Sequence, residues 1–348
     1  MLLLFDELTN IYRTEASPFS MNSTLQDILK QNCSESTITY RDFIETALYH
    51  PILGYYTQTK QRVGRVSQAD FYTSESLGKV FAELVLNAAQ KLLKDKELSS
   101  YHFIEIGAEP EYSLLSQLEK HPFQQHSVIR QGDTIQINDE PIILFANEWL
   151  DALPFHRLIF SNEQWQEKGI TLNSQGNLEE TLLDKLSDPI QSFKDRLPNQ
   201  TSNGYQIDFS PETHKAIQAI VDQKWTGLVM LFDYGKTWHE ITSEMPNGSA
   251  RTYFKHTQGT DLLDDPGNRD ITFDICWDFI KEAFNTQKGI EYHLQSQEAF
   301  FVNHAQDRIK DILQETQFTF SKDKQTLLEL IHPANMGQKF QTLYALRK

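Results

Sequence analysis

An amide and two carboxylic acids lie close together in residues 147–154. Asn147, Glu148 and Asp151 directly follow the apolar run 142–146, and a proline closes the segment. Side chains of these types can hold a ligand by hydrogen bonds or accept a proton from it. The structural alternative is that Asn147 and Asp151 cap the following turn, as short polar side chains often do. The residues alone leave both interpretations open.

A second candidate position for chemistry is the turn after residues 101–106. Gly107 directly follows this predicted strand and Ala108 comes next. The first strand-to-helix turn of a doubly wound sheet holds the phosphate or nucleotide part of a ligand, and glycine lets the backbone turn tightly there. One glycine after a strand is more typical of an ordinary turn, so the segment taken alone favours that interpretation.

Other segments carry weaker signals. Residues 68–75 lead into a predicted helix, for which Thr73 or Ser74 can serve as the N-cap, and residues 264–272 indicate a turn. The eleven histidines form no spaced set of metal ligands, and the sequence has neither a P-loop nor a Gly-x-Ser-x-Gly elbow. The sequence therefore predicts no metal site and does not support a kinase or a hydrolase.

Three apolar runs predict the strands that position these residues. They are residues 101–106, 142–146 and 228–232, and each ends at polar residues. Continuous apolar runs of this length are typical of parallel strands buried on both faces. Polar groups at their carboxyl ends mark the ligand side of a doubly wound sheet. Residues 340–346 predict a closing strand.

Helical spacing of apolar residues predicts the surrounding elements. One helix begins after Thr39, with Asp42 three residues later as in a capping box, and ends before Pro51 and Gly54. Further helices are predicted by the patterns at residues 74–93, 112–118, 273–284 and 305–313.

The order of these elements predicts two units. Residues 1–95 form a helical N-terminal segment that packs on a core domain of residues 96–348. Within that domain, alternating segments and turn residues at 157–225 predict an insertion, partly a small antiparallel sheet and partly helix, that covers the site.

Composition limits the classes of partner. The formal net charge of −16 repels phosphate backbones and anionic lipid headgroups, so we predict binding to neither nucleic acid nor membrane. An acidic surface suits a cationic protein partner, although this charge balance is also common among soluble proteins. No apolar run approaches the ~20 residues that span a bilayer. The oligomeric state is left open.

The cysteines and the first residues bear on location. Cys33 and Cys276 are too few for a disulfide framework, which predicts a reducing compartment. The apolar start at residues 1–5 is short and meets Asp6 and Glu7 at once, which is unlike a signal peptide. These observations predict a cytoplasmic protein.

Taken in chain order, these segments resemble the MidA family of S-adenosylmethionine-dependent methyltransferases over residues 38–348. The most specific likeness is residues 147–154 followed by Asp270-Ile271-Thr272. The other similar segments are residues 43–56, 70–75, 105–107, 232–235, 266–267 and 336–340.

The resemblance implies an α/β fold with a doubly wound, mostly parallel sheet of the class I methyltransferase, Rossmann-like type. It implies methylation of an arginine on a partner protein, with Glu148 and Asp151 as the catalytic candidates that face the guanidinium group. Because methyl transfer is an in-line displacement, the protein contributes mainly alignment and a nearby base. The implied S-adenosylmethionine-binding residues are Asp70, Phe71, Ser74, Glu75, Glu105, Gly107, Ala108, Asp133 and Asn147.

The first cofactor loop departs from the family pattern. The family has Glu-x-Gly-x-Gly-x-Gly, whereas Glu109 and Glu111 stand here at the second and third glycines, with Pro110 between them. A carboxylate about 4 Å from the cofactor's own carboxylate would cost up to ~4 kcal/mol at an effective dielectric near 20. Micromolar binding is worth only about 8 kcal/mol. The loop therefore predicts weakened or lost cofactor binding.

Two further departures from the family pattern affect the cofactor-binding half of the chain. Residues 105–147 are too few for the family's second strand, its ribose-binding acid and the next helix, so Asp133 is the remaining substitute for that acid. Cys276-Trp277 replaces an Asp-Phe pair, and Ala69 replaces a glycine. Two hypotheses follow: a working protein methyltransferase with an altered loop, or a catalytically inactive relative that acts as a protein-binding or assembly factor.

Overall fold

The computed structural model describes residues 24–58, 78–94, 96–108, 112–130, 132–255, 257–315 and 321–348. The α-helices within these residues are α1 Leu25–Glu35, α2 Tyr40–Tyr49, α3 Lys79–Leu92, α4 Asp188–Phe193, α5 Pro211–Val221, α6 Trp238–Ser243, α7 Trp277–Asn285, α8 Gln297–His304, α9 Gln306–Glu315 and α10 Lys322–Ile331. The strands are β1 Ile38–Thr39, β2 His102–Ile106, β3 Gln125–Ile129, β4 Pro141–Asn147, β5 His156–Ser161, β6 Gln164–Leu172, β7 Leu178–Leu182, β8 Gln206–Phe209, β9 Thr226–Lys236, β10 Arg251–Phe254, β11 Thr257–Gly259, β12 Asp270–Thr272, β13 Ile275–Cys276, β14 Ile290–Ser296 and β15 Phe340–Arg347.

The largest sheet has the strand order β14-β15-β9-β4-β2-β3. The pairs from β9 to β3 are parallel, whereas β15 is antiparallel to both of its neighbours, and the short strand β13 pairs in parallel with β9. The protein is therefore a mixed α/β structure built on a multi-strand sheet. The strands predicted at residues 101–106, 142–146, 228–232 and 340–346 are confirmed, and the third of them is longer than predicted.

Helices cover both faces of this sheet, which explains why its strands are continuously apolar. Because successive side chains of a strand point to opposite faces, Ile104, Leu144 and Leu231 belong to the apolar layer that includes α2, α5 and α7. Phe145 and Phe232 belong to the layer that includes α3, α8, α9 and α10. Each of these side chains is almost fully buried.

The predicted helix after Thr39 is confirmed as α2. The Thr39 hydroxyl accepts a hydrogen bond from the backbone N–H of Asp42 at 3.0 Å, which satisfies one free amide of the first turn. After the helix, the chain folds back so closely that a Cβ on Gly54 would lie 2.4 Å from the backbone nitrogen of His50. This reversal sets the rings of Tyr49 and Tyr56 side by side, with centroids 5.5 Å apart.

The family's second strand is present, so the prediction that residues 105–147 cannot hold it is wrong. Strand β3 pairs in parallel with β2. Residues 105–147 can hold this strand because the connections before and after it contain little helix. A 3-10 turn at Leu115–Gln117 replaces the helix predicted at residues 112–118, and the described residues between β3 and β4 contain no helix.

A second, antiparallel sheet has the order β1-β6-β5-β8, with β7 also paired to β6. Four of its five strands and helix α4 come from β5 to β8, so the small antiparallel sheet predicted there is confirmed. The division of the chain into residues 1–95 and 96–348 stays a prediction. Among the described residues, no helix combines the length and the apolar character needed to cross a bilayer.

Candidate active site

The carboxyl ends of β2, β3 and β4 open onto a cavity of about 480 Å³. Helices α2 and α5 contribute its other walls, so the cavity lies between the sheet edge and the layer that contains α2. This is the edge at which the sequence predicts the ligand. The predicted residues that line it are Gly107, Ala108, Asp133 and Glu148.

Gly107 makes the turn at the end of β2. Its φ of +82° lies in the left-handed region that favours glycine, and its N–H donates to the carbonyl oxygen of Ile129 at 3.0 Å. A Cβ at this position would lie 3.2 Å from the Cβ of Trp149, which also lines the cavity. A larger residue would therefore be strained and would press on the cavity wall.

Glu105 lies in β2, two residues before Gly107, and is almost fully buried. Both of its carboxylate oxygens accept from the backbone N–H of Leu114 at 2.9 Å, which fastens the end of β2 to the chain beyond the loop. Burial raises the pKa of Glu105 to about 7, and the Leu114 hydrogen bond and the charge of Arg130 oppose that rise. The described contacts of Glu105 are structural, and its predicted cofactor role remains a prediction.

Asp133 lies just beyond β3. Its Oδ2 accepts from the backbone N–H of Arg130 at 2.8 Å, closing a turn in which both side chains line the cavity. The acid that the sequence offers as a substitute for the ribose-binding residue is therefore at the correct edge of the sheet. Its role toward a ligand stays a prediction.

Several residues singled out by the sequence lie outside the described residues. They are the predicted cofactor-binding residues Asp70, Phe71, Ser74 and Glu75, together with Glu109, Pro110 and Glu111 of the altered loop. Their predicted roles remain as stated from the sequence.

Four carboxyl groups meet where β4, β9 and β12 come together. Glu148 has a φ of +49°, an uncommon value for a residue with a side chain, and its N–H donates to the carbonyl oxygen of Phe232 at 2.9 Å. Its Oε1 accepts from Asn147 Nδ2 at 3.0 Å and its Oε2 accepts from the Tyr234 hydroxyl at 2.9 Å. Backbone strain of this kind is concentrated at functional sites. The other members of this acid cluster are Asp151, Asp233 and Asp270.

Asp233 performs the capping that the sequence offered as the alternative role of Asn147 and Asp151. Its Oδ2 accepts from the backbone N–H groups of Leu150 at 2.9 Å and Asp151 at 3.3 Å. In contrast, Oδ1 of Asp151 is buried and has no hydrogen-bond partner within the part of the chain that the structure describes. The carboxyl of Asp151 is thus not engaged as a turn cap, whereas Asn147 orients Glu148.

Two tyrosines from the N-terminal segment lie against the acid cluster. The Tyr56 hydroxyl donates to Oδ1 of Asp270 at 2.7 Å, and the Tyr49 hydroxyl donates to the carbonyl oxygen of Ala152 at 2.8 Å. Both rings line the cavity. Burial first, and then the charges of Asp270 and Asp151, raise the pKa of Tyr49 well above its usual value. These hydroxyls therefore act as hydrogen-bond donors and not as bases.

Burial and mutual repulsion favour the protonated forms of the cluster. Burial, followed by the charge of Asp151, raises the pKa of Glu148 to about 8. Burial also raises the pKa of Asp233 to about 8 and that of Asp151 well above its ordinary value. Arg251 opposes the shift at Asp151, but its guanidinium is already paired with Asp274 at 2.6 Å. The cluster holds more acid groups than cations, so it is suited to receive a positive charge.

Sequence reasoning did not single out several members of this site as functional residues. Asp233 and Tyr234 stand at the polar end of an apolar run, which is the signal that could have identified them. Tyr49, Tyr56 and Arg251 carry no comparable local signal, because long-range packing brings them to the site.

Comparison with known proteins identifies the family of the chain and several of its relatives. Residues 78–295 match the family described as "Putative S-adenosyl-L-methionine-dependent methyltransferase". The chain is 26% identical to the Caenorhabditis elegans protein named mitochondrial protein arginine methyltransferase NDUFAF7 homolog, over 94% of this chain and 87% of that protein. For the Drosophila melanogaster homolog of the same name the identity is 21%, over 89% and 82%.

A solved structure shares the fold. It is a Burkholderia thailandensis protein with S-adenosyl-homocysteine bound, and it superposes with a TM-score of 0.80 at 20% identity, covering 93% of this chain and 92% of that chain. The mixed α/β fold is therefore common to both proteins.

The comparisons also correct one prediction and bear on another. The cytoplasmic location predicted from the sequence is wrong, because the relatives from Caenorhabditis elegans, Drosophila melanogaster and Xenopus laevis are all named mitochondrial. The hypothesis of a catalytically inactive assembly factor receives no support, since these relatives are named as methyltransferases.

Proposed function

Because the chain belongs to the MidA-like family of S-adenosyl-L-methionine-dependent methyltransferases, we propose that it methylates an arginine side chain of a partner protein. Its animal relatives are named protein arginine methyltransferases, which supports this substrate. In this proposal, the sheet is the doubly wound sheet of a class I methyltransferase, with β15 as its reversed strand and residues 96–348 as the catalytic domain.

The cavity at the ends of β2, β3 and β4 fits the cofactor in size and chemistry. About 480 Å³ lies within the roughly 300–1,000 Å³ range of small-molecule sites. Gly107 lets the backbone approach a ligand, Ile129 and Ile135 offer apolar surface, and Asp133 offers a carboxylate. We assign cofactor binding to these groups together with the predicted residues 70–75. When bound there, S-adenosylmethionine supplies an electrophilic methyl group.

One observation carries the choice of arginine as substrate. Glu148 and Asp151 belong to a cluster of four acids, of which Asp151, Asp233 and Asp270 are buried and Glu148 is half-buried, and Oδ1 of Asp151 has no hydrogen-bond partner among the described residues. A guanidinium is planar, always charged and able to donate to two carboxylates at once, so it complements this acid cluster better than a neutral group does. The stacked rings of Tyr49 and Tyr56 add aromatic surface, on which guanidinium groups pack favourably.

Glu148 is the residue we assign to the proton. In the free protein its raised pKa keeps much of it protonated near neutral pH. An arriving guanidinium favours the ionised form, and the Tyr234 hydroxyl and Asn147 amide stabilise that form by hydrogen bonds. Glu148 would accept the proton that the arginine nitrogen loses when that nitrogen takes the methyl group and the bond between the methyl carbon and the cofactor sulfur breaks. Asp151 holds the guanidinium in line for the displacement.

Calorimetric titration with S-adenosylmethionine tests cofactor binding, and mass spectrometry of an incubated arginine peptide tests transfer. We expect measurable but weak cofactor binding, and we expect the Glu109→Gly, Glu111→Gly double substitution to tighten it by about tenfold or more, because two acidic charges leave the loop. The exposed Glu119→Gln is the matched control for lost charge. An absence of heat up to millimolar cofactor in both proteins would contradict the proposal.

A second prediction concerns Gly107. Gly107→Ala should weaken cofactor binding by at least about tenfold, since the added Cβ would crowd Trp149 in the cavity wall. Its left-handed backbone would in addition cost roughly 1–2 kcal/mol of stability. Gly204→Ala is the control, because Gly204 also has a positive φ, +88°, but no neighbouring atom within 4 Å of an added Cβ. The control should lose similar stability and keep its affinity. Equal affinities for the two variants would show that the turn does not contact the cofactor.

A further inference from the structure

A second cavity, of about 630 Å³, lies on the other side of the acid cluster, between the antiparallel sheet and the hairpin β10–β11. Its rim is solvent-exposed at Asn247, Gln258 and Thr260, whereas its inner wall carries Arg157 and Lys168, whose side chains are only 9% and 12% exposed. Arg251 also lines it. Three cations thus line one cavity of a protein whose net charge is −16.

The acids around this cavity leave donor capacity unused. Arg157 donates from Nε to Asp208 at 2.9 Å and from Nη1 to Glu180 at 3.5 Å, so these two acids use only part of its donor capacity. Asp208 is fully engaged, because its other oxygen accepts from the backbone N–H groups of Ser249 and Ala250 at 2.8 Å. Asp261 on the rim is the remaining lining acid.

Glu180 is the protein's own anion in this cavity. Its carboxylate contacts Lys168 and the hydroxyl of Tyr40 closely and also lies near Arg157, yet its side chain is 37% exposed. One carboxylate therefore serves three donors while remaining open to solvent. The carboxylate of a bound ligand could share these donors with Glu180 or displace Glu180 from them. Neither change requires a buried group to move.

One aromatic side chain, Tyr234, contacts a lining residue of each cavity. The guanidinium of Arg251 lies 5.2 Å from the ring centroid of Tyr234, whose hydroxyl donates to Glu148 at 2.9 Å. An extended peptide advances about 3.3–3.6 Å per residue, so a few residues cover the distance from Glu148 past the Tyr234 ring to Arg251. A chain that presents arginine to Glu148 can therefore place a neighbouring side chain in the second cavity.

We propose that the cavity lined by Arg157, Lys168 and Arg251 binds an acidic side chain of the protein substrate, a few residues from the methylated arginine. This inference rests on the proposed function and adds a specificity determinant to it. The acid would orient the peptide, so that an arginine flanked by Asp or Glu is chosen over one in a basic stretch. An overall acidic protein needs such local cations to tolerate an acidic residue beside its target.

The test measures peptide affinity by fluorescence anisotropy, independently of methylation. Glu is first scanned over about five positions on either side of the arginine in acetylated, amidated peptides. At the best position, four peptides carry Arg or Gln at the target and Glu or Gln at the acidic site. We expect the exchange of Glu for Gln to weaken binding about tenfold, the value of one charge-assisted hydrogen bond.

Protein variants assign that effect to the cavity. Lys168→Met should remove the preference for Glu, Lys288→Met on the exposed surface should keep it, and Glu180→Gln should increase it by removing the internal competitor. A gain of affinity cannot come from misfolding, and thermal unfolding of each variant checks the fold. An unchanged preference in Lys168→Met, a weaker one in Glu180→Gln, or a scan without any effect would overturn the inference.

The same comparison of four peptides distinguishes the proposed function from the proposed acidic-residue site. Loss of the arginine preference in Glu148→Gln, with the Glu preference intact, supports both. If exchange of the target Arg for Gln leaves affinity unchanged in the native protein, the proposed function fails, while the Glu preference still reports on the second cavity. Lys168-dependent binding of a peptide whose only anion is its C-terminal carboxylate, with a silent Glu scan, would also overturn an internal acidic residue as ligand.

Discussion

Glu148→Gln should reduce kcat/KM for methylation of an arginine peptide by about 10²–10⁴-fold, the usual contribution of a positioned general base. The substitution keeps the size of the side chain and one acceptor oxygen for the hydrogen bonds that Asn147 and Tyr234 donate. It removes the negative charge and the proton acceptor. Since Glu148 lies at the edge of the cofactor cavity and not at Gly107, the affinity for S-adenosylmethionine should change little.

The pH profile distinguishes loss of a base from general damage. In the native protein, kcat/KM should rise with pH up to about 8, because that is the pKa of Glu148 in the free protein and the ionised form is needed. The residual activity of Glu148→Gln should lack that rise. Glu119→Gln, which removes an exposed carboxylate, should behave like the native protein. Native-like activity in Glu148→Gln would exclude Glu148 as the base.

Elements whose signals are local were predictable from the sequence. Strands β4 and β9 contain the continuous apolar runs 142–146 and 228–232 because helices cover both faces of the sheet, and such runs are visible in the sequence. The N-terminus of α2 was predictable because the Thr39 cap and the backbone amide it serves are three residues apart. The polar ends of the strands likewise indicated the edge of the sheet at which the structure has a cavity.

Strand β3 was missed for the opposite reason. It is the edge strand of the sheet, and it begins with exposed Gln125 and His126, so it has no continuous apolar run to reveal it. The polar sequence is a consequence of the edge position, because an edge strand pairs on one side only and retains contact with solvent. A search for continuous apolar runs therefore finds the central strands and misses β3.

The aromatic part of the candidate site was invisible for a third reason. Tyr56 contacts Asp270, which is 214 residues later in the chain. No periodicity or motif in the sequence reports a contact at that separation. Arg251 similarly reaches the ring of Tyr234 only through the pairing of β10 with β12. Tertiary packing, and not local sequence, completes the acid cluster.

The second large effect we expect is a loss of stability as pH rises from about 5 to about 8. Burial raises the pKa of Glu105 to about 7 and those of Glu148 and Asp233 to about 8. In that window the folded protein binds more protons than the unfolded chain, so the free energy of unfolding falls as pH increases. Below about pH 4 both states are protonated, and above the raised values the slope ends.

The size of this effect is limited by the stability of the fold. One proton contributes up to about 1.4 kcal/mol per pH unit, so independent ionisation of three such groups would approach the whole 5–15 kcal/mol of a typical domain. The groups repel one another and do not all ionise together, so we expect a fall of a few kcal/mol. Urea unfolding at pH 5.5, 7 and 8.5 measures it.

Substitution and ligand binding should both reduce this pH dependence if the acid cluster causes it. Glu148→Gln should be more stable than the native protein at pH 8.5 and similar at pH 5.5, whereas Glu119→Gln should follow the native curve. An arginine peptide supplies the missing cation, so its stabilising effect should grow with pH, because at low pH protons must leave before the guanidinium binds. A native protein whose stability rises between pH 5.5 and 8.5 would contradict the buried, proton-holding cluster. In that case, the excess of acid groups in the cluster would also no longer explain why a cationic substrate binds next to Glu148.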